Sequence, residues 1–357
     1  MVNAPSEASR IAIRYARLPP TEGSANVKNS RKHRLLKART LTGGGAVLLT
    51  MLLGGAASQP EAVVPGAVTD HVIVISMDGL RPDAIEEFGA KTLQRLMREG
   101  TYASEAQTIF PSKTLPSHMS MLTGVLPEVH GVTWNDDRTD EEVALTVPTV
   151  FEVAKTNGYH TAAFFSKSKF HHLQERGTLD YTQAPDGWDK WMATRTVGDV
   201  ATYLKHERPN LLFVHIGEAD YAGHSLGWMS FAYKWAVNRV DNGVKHVLES
   251  ADAAFGKGNY TVIVTADHGG HGRNHGSDEA VDMTIPWIVW GEGVNEGASV
   301  RPAVKTMDTA ATVLWLLGID EPADWAGTAV ADAFSLAAQR LATDAIAKRT
   351  QSMAVID

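Results

Sequence analysis

Thr265-Ala266-Asp267-His268-Gly269-Gly270-His271-Gly272-Arg273-Asn274-His275-Gly276 follows directly on the apolar run Tyr260-Thr261-Val262-Ile263-Val264. The apolar run reads as a buried strand. The segment after it sets an Asp beside a His and adds two more His within a glycine-rich loop. Glycine lets a backbone fold tightly enough for several side chains to reach one point. Imidazole and carboxylate are the donors that a borderline divalent ion such as zinc prefers. A lone Asp after a strand is equally well explained as a helix N-cap, so other strand ends must decide the reading.

Two do. His71-Val72-Ile73-Val74-Ile75-Ser76 runs into Met77-Asp78-Gly79-Leu80-Arg81-Pro82-Asp83. Leu211-Leu212-Phe213-Val214 runs into His215-Ile216-Gly217-Glu218-Ala219-Asp220-Tyr221-Ala222-Gly223-His224. Unbroken Val, Ile and Leu suggest strands buried on both faces, as in a parallel sheet. Ligands of open α/β sheets sit beyond the carboxyl ends of such strands. Asp78, Asp220, His224, Asp267 and His268 are therefore expected at one edge of one sheet. Further strand candidates are 159–165 and 285–290. Helical spacing marks 90–100 and 147–158, each stopped by Gly, and also 309–317 and 331–348. The alternation implies an α/β fold with a mostly parallel central sheet and helices on both faces.

A hydroxyl nucleophile is also available. Phe110-Pro111-Ser112-Lys113-Thr114-Leu115-Pro116-Ser117-His118 precedes a helix-like stretch. A hydroxyl just before a helix faces backbone N–H groups. Thr114 alone could be a capping residue and Lys113 a solvated charge. A Thr hydroxyl becomes a useful nucleophile only when a metal or base lowers its pKa.

Taken in order, Met77–Asp83, Phe110–His118 with Leu122-Thr123-Gly124-Val125-Leu126-Pro127-Glu128-Val129-His130-Gly131, then Asp220-x-x-Gly223-His224, then Asp267-His268-Gly269 resemble the nucleotide pyrophosphatase/phosphodiesterase branch of the alkaline phosphatase superfamily. The similarity covers roughly residues 70–330. It implies an alkaline-phosphatase-like three-layer sandwich and a phosphotransfer site holding two zinc ions. One ion is then held by Asp78, Asp267, His268 and the Thr114 hydroxyl. The other is held by Asp220, His224 and a third His, either His271 or His275; shorter relatives favour His275-Gly276. Asn135, in His130-Gly131-Val132-Thr133-Trp134-Asn135, stands where the family holds a phosphoryl oxygen, and is otherwise a turn former. The implied reaction is in-line displacement through a phospho-threonine at Thr114. Nucleotide-cleaving members grip the base between a Phe and a Tyr. Leu115 and His215 stand at those positions, which implies weak base preference. His118 and His130 are expected to make structural hydrogen bonds, and His171, His172 and His206 to lie on the surface. Trp188, Trp191, Trp228 and Trp235 read as core or rim packing, with Trp228 close enough to His224 to line a pocket.

Composition bounds the rest. The chain has 357 residues, 44% of them hydrophobic, and no cysteine. Disulfides, thiolate metal sites and a lipoprotein anchor are excluded. Residues 1–40 carry nine basic and two acidic residues, a balance of +7; the total is −8, which leaves −15 for 41–357. An acidic catalytic region disfavours a nucleic-acid polymer as partner. Arg31-Lys32-His33-Arg34, Lys37 and Arg39 precede the apolar run 41–57, which reads as a signal peptide, with a retained signal anchor as the alternative. The expected organisation is a disordered extension 1–30, this signal 31–58, a Pro-containing linker 59–69 and one catalytic domain 70–350. The expected protein is exported, periplasmic or extracellular, touching membrane only through a retained anchor, and its substrate is a small phosphate ester. Manganese or iron would accept the same ligands as zinc. A phosphomonoesterase or phosphonate hydrolase would use the same site. A sulfatase lacks its required Cys or Ser frame around Thr114, an export signal argues against a cytoplasmic mutase, and an intact Thr114 hydroxyl argues against a mere binding protein.

Overall fold

The computed structural model describes residues 67–138, 145–175, 177–186, 191–301 and 303–353, all within one compact unit, Glu61–Asp357. The expected extension 1–30, the signal 31–58, most of the linker and Trp188 lie outside the described residues.

Among the described residues eight strands form one sheet: β1 (Val72–Met77), β2 (Thr101–Gln107), β3 (Thr161–Phe164), β4 (Tyr181–Gln183), β5 (Leu211–Ile216), β6 (Thr261–Thr265), β7 (Thr284–Gly291) and β8 (Ala298–Ser299). Their spatial order is β4-β3-β5-β1-β6-β7-β2-β8. The first five are mutually parallel; β7 alone runs against its neighbours. The central strands β1, β5 and β6 are buried at every position, which is why their sequences show no alternation.

The helices form two groups. Phe231–Phe255 packs with Pro82–Glu87, Lys91–Glu99, Ala193–Tyr203 and Glu218–Leu226. Asp308–Leu316 packs with Thr114–Thr123, Val150–Thr156 and Leu336–Met353. They cover the two faces of the sheet and complete a three-layer α/β sandwich.

Register places the site. Ser76 is paired with His215 on one side and Thr265 on the other. Two residues further on, Asp78 and Asp267 come level at the carboxyl edge. The ladder is prolonged there by Asp78 N–H to the Ile216 carbonyl, 2.9 Å, and Asp220 N–H to the Asp78 carbonyl, 3.0 Å.

Candidate active site

Gly79 ties the strand ends together. Its φ is +70°, and a Cβ there would lie 3.1 Å from Cα of Asp220. Only glycine accepts both the conformation and the approach. Its N–H donates to Oδ1 of Asp267 (3.0 Å), and its carbonyl accepts from Trp228 Nε1 (2.9 Å) and the Tyr233 hydroxyl (2.8 Å). Gly270 is required for a similar reason, since a Cβ would sit 2.2 Å from the Trp228 ring.

The three Asp come from three strand ends. Asp78 follows β1, Asp267 follows β6, and Asp220 lies in the first turn of Glu218–Leu226, the helix after β5. His224 is one helical turn beyond Asp220 and so shares its face, with Nε2 3.3 Å from Asp220 Oδ1. All three Asp are buried, yet Asp78 Oδ1, Asp220 Oδ1 and Asp267 Oδ2 have no hydrogen-bond donor. Burial, then the Asp78 charge, pushes Asp267 well above the usual carboxylate range. Burial acts the same way on Asp78, but the Lys167 ammonium and the His215 hydrogen bond outweigh it and hold Asp78 low. Such a cluster calls for additional positive charge.

The histidines supply matching lone pairs. His268, His275 and His224 each direct Nδ1 at a backbone carbonyl, of Gly269 (2.8 Å), Ser112 (2.8 Å) and Arg273 (3.0 Å) respectively. A carbonyl can only accept, so Nδ1 carries the proton, and each ring in its neutral form offers Nε2 as a ligand. His268 Nε2 lies 3.3 Å from Asp267 Oδ2, 3.5 Å from Asp78 Oδ1 and 3.4 Å from the Thr114 hydroxyl. Burial, then the neighbouring His275, lowers the His268 pKa to about 3, so its ring is neutral. His275 stacks on His268 at 3.7 Å, and its Nε2 is 3.8 Å from Asp220 Oδ1. Ligand atoms of Asp78, Asp267 and His268 fall within 4.8 Å of one another, as do those of Asp220, His268 and His275. This donor set, with its orphaned carboxylate oxygens, fits divalent cations.

Thr114 is the first residue of helix Thr114–Thr123 and is buried. Its own N–H belongs to the first turn, which has no intrahelical acceptor. The Leu115 N–H donates to Asn135 Oδ1 at 2.9 Å, bringing Asn135 beside the nucleophile candidate.

The other histidines sort as follows. His271 is 41% exposed and turned to Asp282, 2.8 Å away. His118 uses both nitrogens, to Ser76 Oγ (2.7 Å) and the Thr114 carbonyl (2.8 Å), and His130 is buried against Ser120 and the Val132 N–H. His206 is exposed, but His172 is buried, which corrects its surface assignment: its helix follows the short turn Ser168–Phe170 into the interior. His215 is also corrected. It is wholly buried in β5, donates from Nε2 to Asp78 Oδ2 (2.8 Å) and offers no platform to a base. Trp228 lies edge-on to His224 with ring centroids 5.2 Å apart.

Two site residues escape the sequence reading. Lys167 Nζ is 2.6 Å from both Asp78 Oδ2 and Asp220 Oδ2. Lys169 Nζ donates to the Asn135 carbonyl (2.8 Å) and reaches Oδ1 (3.2 Å). The available signal was a fourth strand end: Ser166-Lys167-Ser168-Lys169 directly follows the strand region 159–165.

The family described as type I phosphodiesterase / nucleotide pyrophosphatase matches residues 72–284. Ectonucleotide pyrophosphatase/phosphodiesterase family member 3 of Mus musculus is 24% identical over 230 residues, 60% of this chain and 26% of its own length. The chain thus spans about a quarter of that curated relative. Murine ectonucleotide pyrophosphatase/phosphodiesterase 5, solved as an inactive variant with AMP, superposes with a TM-score of 0.63 at 16% identity, covering 74% of this chain and 100% of that one. Alkaline phosphatase PafA gives 0.64 at 13% identity, covering 75% and 99%. These two structures show a shared fold.

Proposed function

The chain belongs to the type I phosphodiesterase / nucleotide pyrophosphatase family, and from that membership we propose that it hydrolyses phosphate esters, phosphodiester or pyrophosphate bonds foremost, through a phosphorylated Thr114 at a site for two zinc ions. The observation that carries this reading is the meeting of three buried carboxylates, each with an orphaned oxygen, with three imidazoles whose Nε2 atoms face them. One set is Asp78, Asp267, His268 and the Thr114 hydroxyl. The other is Asp220, His224 and His275. Bound there, two divalent cations supply Lewis-acid stabilisation of the attacking and departing oxygens.

The chain's own groups do the rest. Thr114 Oγ1 forms the new bond to phosphorus as the bond to the leaving oxygen breaks. Water then cleaves the phospho-threonine and restores the hydroxyl. The Thr114 N–H and the Asn135 side-chain amide donate to non-bridging oxygens as charge builds there. With its carbonyl oxygen engaged by Leu115 and Lys169, Asn135 keeps Nδ2 as the donor. His215 orients Asp78. The substrate is a small molecule, and the acidic catalytic region disfavours nucleic-acid polymers. The basic segment before 41–57 supports export to a periplasmic or extracellular compartment, with a retained anchor as the alternative. No helix among the described residues is long and apolar enough to cross a membrane. Manganese or iron would suit the same donors.

Thr114→Ala is the deciding experiment. It should abolish turnover of 4-nitrophenyl esters by at least about a thousandfold, the scale of losing a covalent step, while metal content stays near two per chain. Acid-quenched wild type should carry phosphate on Thr114. Near-normal turnover in the variant would move the nucleophile to water, Ser112 or Ser117.

A further inference from the structure

We propose that Asp282 is a positioning residue: its buried carboxylate latches the loop that carries His275 and so sets the affinity of the second of the two proposed cation sites. The inference rests on the two-ion reading above and adds to it a residue that touches neither cation nor substrate.

The loop needs a latch. Between His268 and His275 stand six residues, three of them glycines, and Gly276 follows. Glycine gives up more conformational freedom on ordering than any other residue. Such a loop, untied, would not hold an imidazole to the tolerance of about 0.2 Å that a cation asks of its ligands. The ties come from where the chain returns. The loop leaves β6 and re-enters the sheet at β7, its antiparallel neighbour. Asp282 lies in the short helix Ala280–Met283, directly before β7, and is completely buried. The main chain there secures the start of the loop: the Gly269 N–H donates to the Asp282 carbonyl (2.8 Å) and the Gly270 N–H to that of Val281 (2.9 Å). A Cβ on Gly269 would lie 1.9 Å from the Val281 oxygen, so only glycine allows this approach. The side chain secures the rest. Oδ1 accepts from His271 Nδ1 at 2.8 Å. Oδ2 accepts from the Ser277 N–H (3.0 Å) and from the Ser277 hydroxyl (2.8 Å). One carboxylate thus fastens the loop before and after His275, with charge-assisted bonds that are roughly twice as strong as neutral ones.

The fastening reaches the nucleophile as well. The Ser277 carbonyl accepts the Ser112 hydroxyl at 2.8 Å, and the Ser112 carbonyl accepts His275 Nδ1 at 2.8 Å. Ser112 stands two residues before Thr114. These bonds close a circuit that turns His275 Nε2 towards Asp220 Oδ1, 3.8 Å away. Asp78, Asp267 and His268 stand directly on the ends of β1 and β6 and take no hydrogen bond from the Asp282 side chain. Loss of that side chain therefore bears on one cation site and spares the other.

The test titrates zinc, against a competing chelator, into metal-free wild type, Asp282→Ala, Asp282→Asn, Ser277→Ala, His275→Ala and the double variant Asp282→Ala/His275→Ala. Turnover of methyl 4-nitrophenyl phosphate is followed at limiting and at excess zinc. Asp282→Ala should lose about tenfold to a hundredfold in affinity for one zinc, the scale for groups that orient a ligand, and keep the wild-type affinity for the other. Excess zinc should restore most of its turnover, which it should not do for His275→Ala. Asp282→Asn should recover most of the affinity, because its amide oxygen still accepts from Ser277 while its N–H donates to His271 Nδ1 in the other tautomer. Since the effect passes through His275, the double variant should bind zinc no more weakly than His275→Ala alone. Equal losses at both zinc sites, a double variant additively worse than His275→Ala, or a wild type that binds a single zinc overturns the latch. Should Asp282→Ala fail to fold, Ser277→Ala decides: a several-fold loss confined to one zinc supports the latch, and unchanged affinities overturn it. If wild type binds two zinc ions and turns over no phosphate ester, the hydrolase reading fails, and the zinc affinities alone then decide the role of Asp282.

Discussion

At the scale of single residues, what separates the proposed ligand His275 from its neighbour His271 is where the second ring nitrogen goes. His275 spends Nδ1 on the Ser112 carbonyl and leaves Nε2 facing Asp220. His271 spends Nδ1 on Asp282, which raises its pKa through that hydrogen bond. Four residues apart in one glycine-rich loop, they have different environments. His275→Ala is expected to cost at least about a hundredfold in kcat/KM and to remove about one metal per chain, whereas His271→Ala costs less than about tenfold, the lower end for residues that act behind a ligand. Steady-state kinetics with metal analysis checks this, and reversed effects would hand the ligand role to His271. The identities of Asp78, Asp220, His224, Asp267 and His268 were legible because each follows an apolar run. Lys167 and Lys169 were not, because a Lys after a strand has no pattern that separates a buried ammonium from a solvated one.

At the scale of elements, the helix Thr114–Thr123 and the turn after it are pinned by buried histidines. His130 Nδ1 accepts the Val132 N–H at 3.1 Å, so Nε2 carries the proton and donates to Ser120 Oγ, also at 3.1 Å. Burial lowers its pKa to about 4 from 6.5. The folded chain therefore binds fewer protons here than the unfolded chain. The stabilisation is fully present above pH 6.5 and is lost as pH falls towards 4. Its ceiling is roughly 3 kcal/mol. The gap in melting temperature between wild type and His130→Gln, both metal-free, should narrow between pH 7 and pH 4.5. A gap that ignores pH would refute the role. Elements were unevenly legible. The central strands announced themselves by unbroken Val, Ile and Leu. β2 did not, because Thr101-Tyr102-Ala103-Ser104-Glu105-Ala106-Gln107 is half exposed and bulged between Ala103 and Ala106. Phe231–Phe255 was missed too: its buried stripe of Val237, Val240, Val244 and Val247 is interleaved with Gly243, Asn238 and other poor helix formers. The direction of β7 was also hidden, since a buried strand reads alike in either direction.

At the scale of the whole molecule, the sheet brings three carboxylates into one buried edge and so stores repulsion that the proposed cations would relieve. Removing the metals with a chelator should lower the melting temperature by about 5–15 °C, and two equivalents of zinc should restore it, as for any ligand bound only by the folded state. Scanning fluorimetry measures this directly; an unchanged melting temperature would mean that the edge is stable without cations. The spatial order β5-β1-β6 has a further consequence during synthesis. Adjacent strands there are separated by well over a hundred residues of chain. A nascent chain released as far as residue 250 possesses Asp78, Thr114, Asp220 and His224, but neither Asp267, His268 nor His275. Neither half-site is complete, and β1 lacks its neighbour on one side. Long-range pairings of this kind form late, because loop closure precedes any gain from contact. Capture of the proposed cations would therefore have to follow translation of β6 and its loop, and metal loading would report that the sheet has closed around its last central strand.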